Sequence, residues 1–255
     1  MIQGALPAVR WLRLAVGLAA LCAGTHASAQ PAPSLVQAWL AFPDLVDVAW
    51  PYAYIRADIT EQSQKGARQD LLDEFDRLDW RLRDSGYPKL ESSVDQWRKA
   101  LTADDLFRTP GDWSPAFLLS NVNQNPPLAH IAALGACTPP TFVTVWDADG
   151  VRRIEWQSSM QISDVERRAP ALRKGSAGEI AVIDPYGRID RYGVQAWNYA
   201  DGPIAPGSHV IASLPLKGKA FVWIRDAMAE LIAHRPSGID CREQARPTQE
   251  DARRG

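Results

Sequence analysis

Two adjoining stretches in the first half of the chain repeat apolar residues at the spacing of an α-helix. The first set is Leu71, Phe75, Leu78 and Leu82, and the second is Leu90, Val94, Trp97 and Leu101. This spacing places each set on one face of a helix. Gly86 and Pro88 lie between the sets, where they favour the end of one helix and the start of another. The pattern predicts a helical hairpin over about residues 60–101, with Asp58 or Thr60 capping its start.

A third helical pattern lies near the end of the chain, between Lys219 and Arg235, within a segment that we assign to residues 217–236. Its apolar stripe consists of Phe221, Ile224, Met228 and Leu231. At ~1.5 Å per residue the helix is roughly 25 Å long, which is shorter than the ~30 Å hydrocarbon core of a membrane. Polar residues cover its other faces. We therefore expect the stripe to pack on the protein's own body rather than on a partner or a membrane.

Between the hairpin and this last helix, residues 141–216 carry short apolar runs bounded by turn residues, which is typical of strands. The predicted strands are Thr141–Trp146, Val151–Trp156, Glu179–Ile183, Ile189–Tyr192 and His209–Ser213. Ser163 and Glu166 fit a capping box that opens a short helix after the second strand. A helix that follows a hairpin and covers one face of a small mixed sheet is the arrangement of a β-grasp domain.

The remaining segments have weaker patterns. Val46–Ile55 contains alternating apolar residues and is predicted as a strand, with Pro51 at an edge or bulge. Residues 102–140 contain no clear periodicity. Residues 242–255 lack periodic apolar positions and are predicted to be a disordered tail.

The first 29 residues have the features of a secretory signal peptide. Arg10 and Arg13 give a positive start, and the apolar run Leu14–Leu21 is too short to span a bilayer. The small residues of Ala27–Ala29 form a cleavage site, so we expect the mature chain to begin at Gln30.

A lipoprotein is the alternative to simple cleavage, because Cys22 follows a short apolar run. Leu21 precedes this cysteine, where a lipoprotein signal normally has a smaller residue. Simple cleavage is therefore preferred, and it implies export to an oxidising compartment, most simply the periplasm of a Gram-negative bacterium. Removal of Cys22 leaves Cys137 and Cys241, and two cysteines in an exported protein are expected to form a disulfide.

Charge and composition exclude several classes of protein. The formal net charge of −2 becomes −4 once the two arginines of the signal peptide are removed, and no basic run is present. Nucleic-acid binding is therefore not expected. The mature chain contains no further apolar segment long enough to cross a membrane. Its abundant tryptophans are interpreted as core residues rather than as a sugar-stacking row.

No catalytic or metal-binding motif stands out, so we expect no catalytic residues, metal or cofactor. The histidines of the mature chain are isolated from one another, and the sequence contains no HExxH, CxxC or GxSxG pattern. The pairs Asp104/Asp105 and Asp147/Asp149 are the carboxylates closest to an acid–base arrangement. The second pair lies in a tight Asp-Gly turn, where aspartate normally serves the backbone.

The most distinctive short motif is the turn IDPYGRI between two predicted strands. Its apex residues are candidates for contact with a partner or a glycan. They are Asp184, Pro185, Tyr186 and Arg188. Proline and glycine at these positions are also ordinary turn chemistry.

Taken together, the layout resembles the GfcC-like capsule biosynthesis proteins. The resemblance covers about residues 45–236 and is carried by the segments WPYAYI, NQNPPL, IDPYGRI and IAPGSHVI and by the last amphipathic helix. It implies an α+β fold of two β-grasp domains of the sugar-exporter (SLBB) type. The first, at residues 30–140, would hold the helical hairpin as an insert, and the second would span residues 141–216. The family's usual Gly-Asp before the second domain is absent here.

The resemblance also implies a function. The family is periplasmic and belongs to capsule and exopolysaccharide operons, so it implies a non-enzymatic accessory protein that acts with an outer-membrane polysaccharide exporter or with the polysaccharide itself. The alternative is a periplasmic glycan-modifying enzyme. Such an enzyme would need a carboxylate pair at ~5–10 Å in a cleft with tryptophan beside it.

Overall fold

The structure is a computed structural model that describes residues 34–41, 49–58, 60–103, 105–175, 177–216 and 218–245. The predicted signal peptide, its cleavage site and Cys22 lie outside these residues. The described chain has a mixed α+β fold with two sheets, as the sequence predicts. None of its described helices combines the length and the apolar character needed to cross a membrane.

The described residues form six α-helices and eight strands, besides short 3₁₀ turns. The helices are α1 (Leu35–Ala41), α2 (Thr60–Asp84), α3 (Pro88–Thr102), α4 (Pro115–Ser120), α5 (Ile162–Arg168) and α6 (Lys219–Ala233). The strands are β1 (Ala53–Ala57), β2 (Ile131–Thr138), β3 (Phe142–Asp147), β4 (Gly150–Glu155), β5 (Glu179–Ile183), β6 (Ile189–Gly193), β7 (His209–Ala212) and β8 (Ile239–Ala245). The helical hairpin α2–α3, the last helix and the strands predicted between residues 141 and 216 are confirmed.

The smaller sheet is antiparallel and has the order β1-β2-β8. Helices α1 and α4 supply apolar residues to a core on this sheet, in which Leu35 and Trp39 of α1 pack with Ile55, Ile131 and Leu134. Helix α1 has no counterpart among the predicted elements, and β2 lies in residues 102–140, where the sequence has no clear periodicity. Both elements depend on contacts with distant parts of the chain rather than on a long local repeat.

The prediction of a disordered tail over residues 242–255 is wrong for its first part. Residues 239–245 form β8, which pairs with β2 in a register that places Gly135 opposite Glu243. The predicted disulfide Cys137–Cys241 is confirmed, with Cα atoms 4.0 Å apart, and it joins the same two strands. Most residues of β8 are exposed, so backbone pairing and the disulfide hold this strand without an apolar pattern. Residues 246–255 lie outside the described part of the chain.

The larger sheet has the order β4-β3-β7-β5-β6. Strands β3 and β7 are parallel neighbours at its centre, whereas the other pairs are antiparallel. Helix α5 lies between the two hairpins in sequence. Its Ile162 and Val165 pack with Val143, Val145 and Val210 in a core on one face of the sheet.

The opposite face of this sheet is covered by the helical hairpin and by α6. Phe75 and Trp97 of the hairpin share one core with Trp146 and Ile211 of the sheet and with Met228 of α6. The hairpin, which follows β1 of the smaller sheet, therefore packs against the larger one. The apolar stripe of α6 is buried in the chain's own core, with exposed fractions of 2% or less at Ile224, Met228 and Leu231. Phe221 is partly buried against the same core.

Two local predictions need correction. Trp50 was predicted in a strand that starts at Val46, but residues 50–52 form a 3₁₀ turn and β1 starts at Ala53. Pro51 explains the shift, because it has no N–H for a ladder and its fixed φ suits the start of a helical turn. Residues 46–48 are outside the described ranges.

The capping box of α5 is the second correction. Gln161 and Asp164 form it, not Ser163 and Glu166. Glu166 is instead buried, and its carboxylate accepts hydrogen bonds from Arg173 at 2.7 and 2.9 Å. Glu166 therefore serves as the buried partner of a guanidinium. A capping residue would instead lie at the start of the helix.

Candidate functional site

A cavity of about 360 Å³ opens on the face of the larger sheet beyond the end of α6. Its floor is formed by side chains that alternate along β3 and by the start of β7. Thr144 is paired with Arg153 in β4 and with His209 in β7, so the three residues lie side by side across the sheet. Phe142 and Trp146 lie two residues to either side of Thr144 and therefore point to the same face.

The walls of the cavity come from helix ends. Ile232 from α6, the residues just after it and Ala100 from α3 enclose the floor. The segment that connects α6 to β8 contributes Arg235, Pro236, Ser237 and Gly238, and the lining is completed by Ile239 at the start of β8 and by Val151, Arg152 and Gly207. The helix C-terminus and the following turn therefore determine the shape of the site.

Among the described residues of this lining, all the formally charged side chains are arginines. They are Arg152, Arg153 and Arg235, and no described aspartate or glutamate lies in the lining. The chain as a whole carries more acidic than basic residues, 30 against 28. The cavity therefore concentrates positive charge on a protein whose net charge is negative.

The three arginines differ in their surroundings. Arg152 pairs with the buried carboxylate of Asp147, which neutralises its charge. Arg235 donates a hydrogen bond to the carbonyl of Ala100 at 3.2 Å, at the C-terminal end of α3. The guanidinium of Arg153 is exposed and lies 4.3 Å from the ring centroid of Phe142. Within the described part of the chain Arg153 makes no ion pair, so its donors remain available to a ligand.

His209 provides a neutral donor at the floor of the cavity. Its Nδ1 accepts a hydrogen bond from the indole Nε1–H of Trp146 at 3.1 Å, so the proton of the neutral ring is on Nε2. No described residue accepts a hydrogen bond from this Nε2–H. Burial, together with the nearby charges of Arg235, Arg108 and Arg153, lowers the pKa of His209 to about 3.

The low pKa of His209 predicts an acid-sensitive fold. Between pH 6.5 and about 3 the unfolded chain binds a proton at this histidine and the folded chain does not, so the free energy of unfolding falls as the pH is lowered. One proton corresponds to about 1.4 kcal/mol per pH unit. We expect His209→Gln to reduce this slope by up to that amount in chemical denaturation series between pH 7 and pH 4. His130→Gln, at an exposed histidine, controls for the loss of a histidine as such, and equal slopes for wild type and His209→Gln would contradict the prediction.

The carboxylates considered in the sequence analysis serve structural roles. Asp147 is fully buried at the β3–β4 turn, where its Oδ1 accepts a hydrogen bond from the N–H of Asp149 at 2.9 Å. Burial raises the pKa of Asp147, while this N–H and Arg152 oppose the rise. Asp105 forms an ion pair with Arg68, and Asp104 is outside the described residues. The described lining of the cavity thus includes a tryptophan but none of the carboxylates that the glycan-modifying alternative requires.

The turn of residues 184–188 is partly built into the core. Pro185 is buried, and its carbonyl accepts a hydrogen bond from the buried guanidinium of Arg108. Gly187 has φ of 83°, and a Cβ there would lie 2.7 Å from the carbonyl oxygen of Ala233, which makes glycine necessary. Asp184 and Tyr186 are partly exposed, and Arg188 is exposed. Any contact made by this turn would therefore depend mainly on Arg188.

Outside the cavity, Arg108 is the main structural residue that the sequence patterns did not reveal. It is 1% exposed and donates hydrogen bonds from Nε to the Ala233 carbonyl at 3.2 Å and from Nη2 to the Ser237 hydroxyl at 3.3 Å. It thereby joins the end of α6, the segment that walls the cavity and the turn at Pro185. Burial lowers the pKa of Arg108 to about 10, so the side chain remains protonated at neutral pH. The surrounding sequence, LFRTPGDW, gave no periodic signal for it.

Neither family models nor curated proteins provide a match to this chain. Within the described residues there is also no cluster of three or more metal-binding side chains. The cavity and the fold around it are therefore the basis for the functional proposal.

Proposed function

We propose that this protein is a non-enzymatic accessory protein of capsule or exopolysaccharide export, which acts in the periplasm beside an outer-membrane exporter. The observation that carries the proposal is the order β4-β3-β7-β5-β6 with parallel central strands and α5 on one face. This order supports assignment of the larger sheet to the β-grasp type, which the resemblance to GfcC-like proteins implies.

The arrangement around that sheet adds support. In this proposal the smaller sheet belongs to a second β-grasp-like domain, and the helical hairpin is its insert. The hairpin and the larger sheet together enclose the apolar stripe of α6, so that helix serves as part of the body. The disulfide between Cys137 and Cys241 is consistent with an oxidising compartment such as the periplasm.

Deletion of the gene in its host tests the proposal. We expect surface polysaccharide to fall severalfold, and a plasmid copy to restore it, because an accessory protein supports transport rather than synthesis of the sugar units. The measurement is the amount of cell-surface polysaccharide per cell, with its sugar composition determined in parallel.

The composition separates this proposal from a glycan-modifying enzyme. Loss of an accessory protein should reduce the amount of polymer while its sugars and linkages stay unchanged. Loss of an enzyme should leave polymer of altered composition or length at the surface. An unchanged amount and composition would refute both.

A further inference from the structure

We propose that the cavity beyond the end of α6 binds the carboxylate of an acidic sugar, a hexuronate unit of the exported polysaccharide. The inference rests on the proposed function for the identity of the polymer, and on the structure for the chemistry of the site. It names the class of substrate that the protein recognises.

Charge is the first argument. A cavity whose described lining holds three arginines and no carboxylate favours an anion. The charge of Arg152 is already neutralised by Asp147. Arg153 is therefore the residue whose guanidinium would donate hydrogen bonds to the ligand. Its planar fork matches the two oxygens of a carboxylate. The Phe142 ring holds the guanidinium plane in place through their 4.3 Å contact.

The floor supplies a second donor of different chemistry. His209 presents an Nε2–H because Trp146 occupies its Nδ1. The neutral N–H of His209 can donate to a hydroxyl or ring oxygen of the sugar while the guanidinium of Arg153 binds the carboxylate. The two side chains flank Thr144 on neighbouring strands of one sheet, so the separation between these donors is fixed by strand pairing.

Size and apolar lining favour a sugar over a bare ion. Binding pockets for small molecules usually measure ~300–1,000 Å³, and this cavity, at about 360 Å³, lies at the small end. Phe142, Val151 and Ile232 contribute apolar surface beside the arginines. A sugar ring has C–H faces that can contact such surface, whereas inorganic phosphate does not. The cavity therefore fits one acidic sugar unit.

The experiment uses the purified, disulfide-intact protein labelled with ¹⁵N and follows the indole N–H signal of Trp146. This group donates to His209 at the floor of the cavity and should respond to an occupant. We expect a saturable shift with D-glucuronate in the millimolar range, no shift with D-glucose, and weaker binding of inorganic phosphate. Stronger binding of phosphate, or an equal response to glucose, would overturn the proposal.

Variants locate the site. Arg153→Gln should weaken glucuronate binding about tenfold or more, the equivalent of ~1.4 kcal/mol, and Arg153→Lys should weaken it less. Arg77→Gln is the control, because Arg77 is also exposed, at 66% of its side chain, but belongs to the helical hairpin and not to the lining of the cavity. Unchanged binding by Arg153→Gln, or an equal loss in Arg77→Gln, would overturn the assignment. The dispersion of each spectrum reports whether the variant is folded.

The binding result and the deletion result are independent. Glucuronate binding without an effect of gene deletion on surface polysaccharide would refute the proposed function and leave the acidic-sugar site standing. A deletion effect without glucuronate binding would refute the site and leave the function standing.

Discussion

Ile224→Asp should lower the free energy of unfolding by at least about 4 kcal/mol. The Ile224 side chain is 2% exposed in the core that joins α6, the helical hairpin and the larger sheet. Loss of a large aliphatic side chain from such a core costs about 2–5 kcal/mol, and an unpaired carboxylate in its place adds to the loss. Since whole domains are stable by about 5–15 kcal/mol, this loss removes a large share of the total, and the variant should unfold at a much lower guanidinium concentration. Guanidinium unfolding followed by tryptophan fluorescence measures the change.

Trp223→Asp is the matched control for that experiment. Trp223 precedes Ile224 on the same helix but is 49% exposed, so the same new carboxylate is placed largely in water. Its effect on the unfolding midpoint should be much smaller. If Ile224→Asp unfolds at the wild-type midpoint while polysaccharide export fails, α6 docks on a partner and its packing on the core is not what the cell requires.

Arg108→Met should be the second most destabilising change, with a loss of about 2–4 kcal/mol. Methionine has a similar length but donates no hydrogen bonds, so the carbonyls of Ala233 and Pro185 would lose their buried partner. Each buried group without a partner costs about 1–3 kcal/mol, and removal of a buried charge offsets part of that cost. Arg108→Lys should recover little, because an ammonium group cannot reach several acceptors in one plane as guanidinium does.

Urea unfolding measures the effect of Arg108→Met. The control is Arg77→Met, because the Arg77 side chain is 66% exposed and pairs with Glu74 on the helix surface. Exposed pairs of this kind contribute little to stability. A loss for Arg108→Met no larger than for Arg77→Met would show that Arg108 does not hold the end of α6 and the turn together.

Local periodicity predicted the elements whose stability depends on one continuous apolar face. The stripes of α2, α3 and α6 and the β3–β4 hairpin belong to this group, and their bounds differ from the prediction by only a few residues. Strand β8 could not be found in this way, because most of its residues are exposed and its partner β2 is distant in the sequence. Only the presence of two cysteines indicated that the two segments meet.

The cavity was beyond prediction for a related reason. His209 is isolated in the sequence, yet the parallel pairing of β7 with β3 places it beside Thr144, 65 residues earlier in the chain. Alternation along a strand indicates which residues share a face, but it does not indicate which strand lies next to it. The charge of the site depends on Arg153 and Arg235, which come from a strand and from the segment after a helix. No local motif contains both.

The position of β2 has a consequence for the folding chain. This strand lies in the middle of its sheet, but its second neighbour, β8, follows only about 100 residues later in the sequence, as the cysteine separation of 104 shows. Until β8 pairs with it, β2 has one open edge, which another unfolded chain could extend. Strand β8, the last described strand, therefore covers an edge of β2, one of the first. A chain truncated before Ile239 would keep this edge open to pairing with another chain.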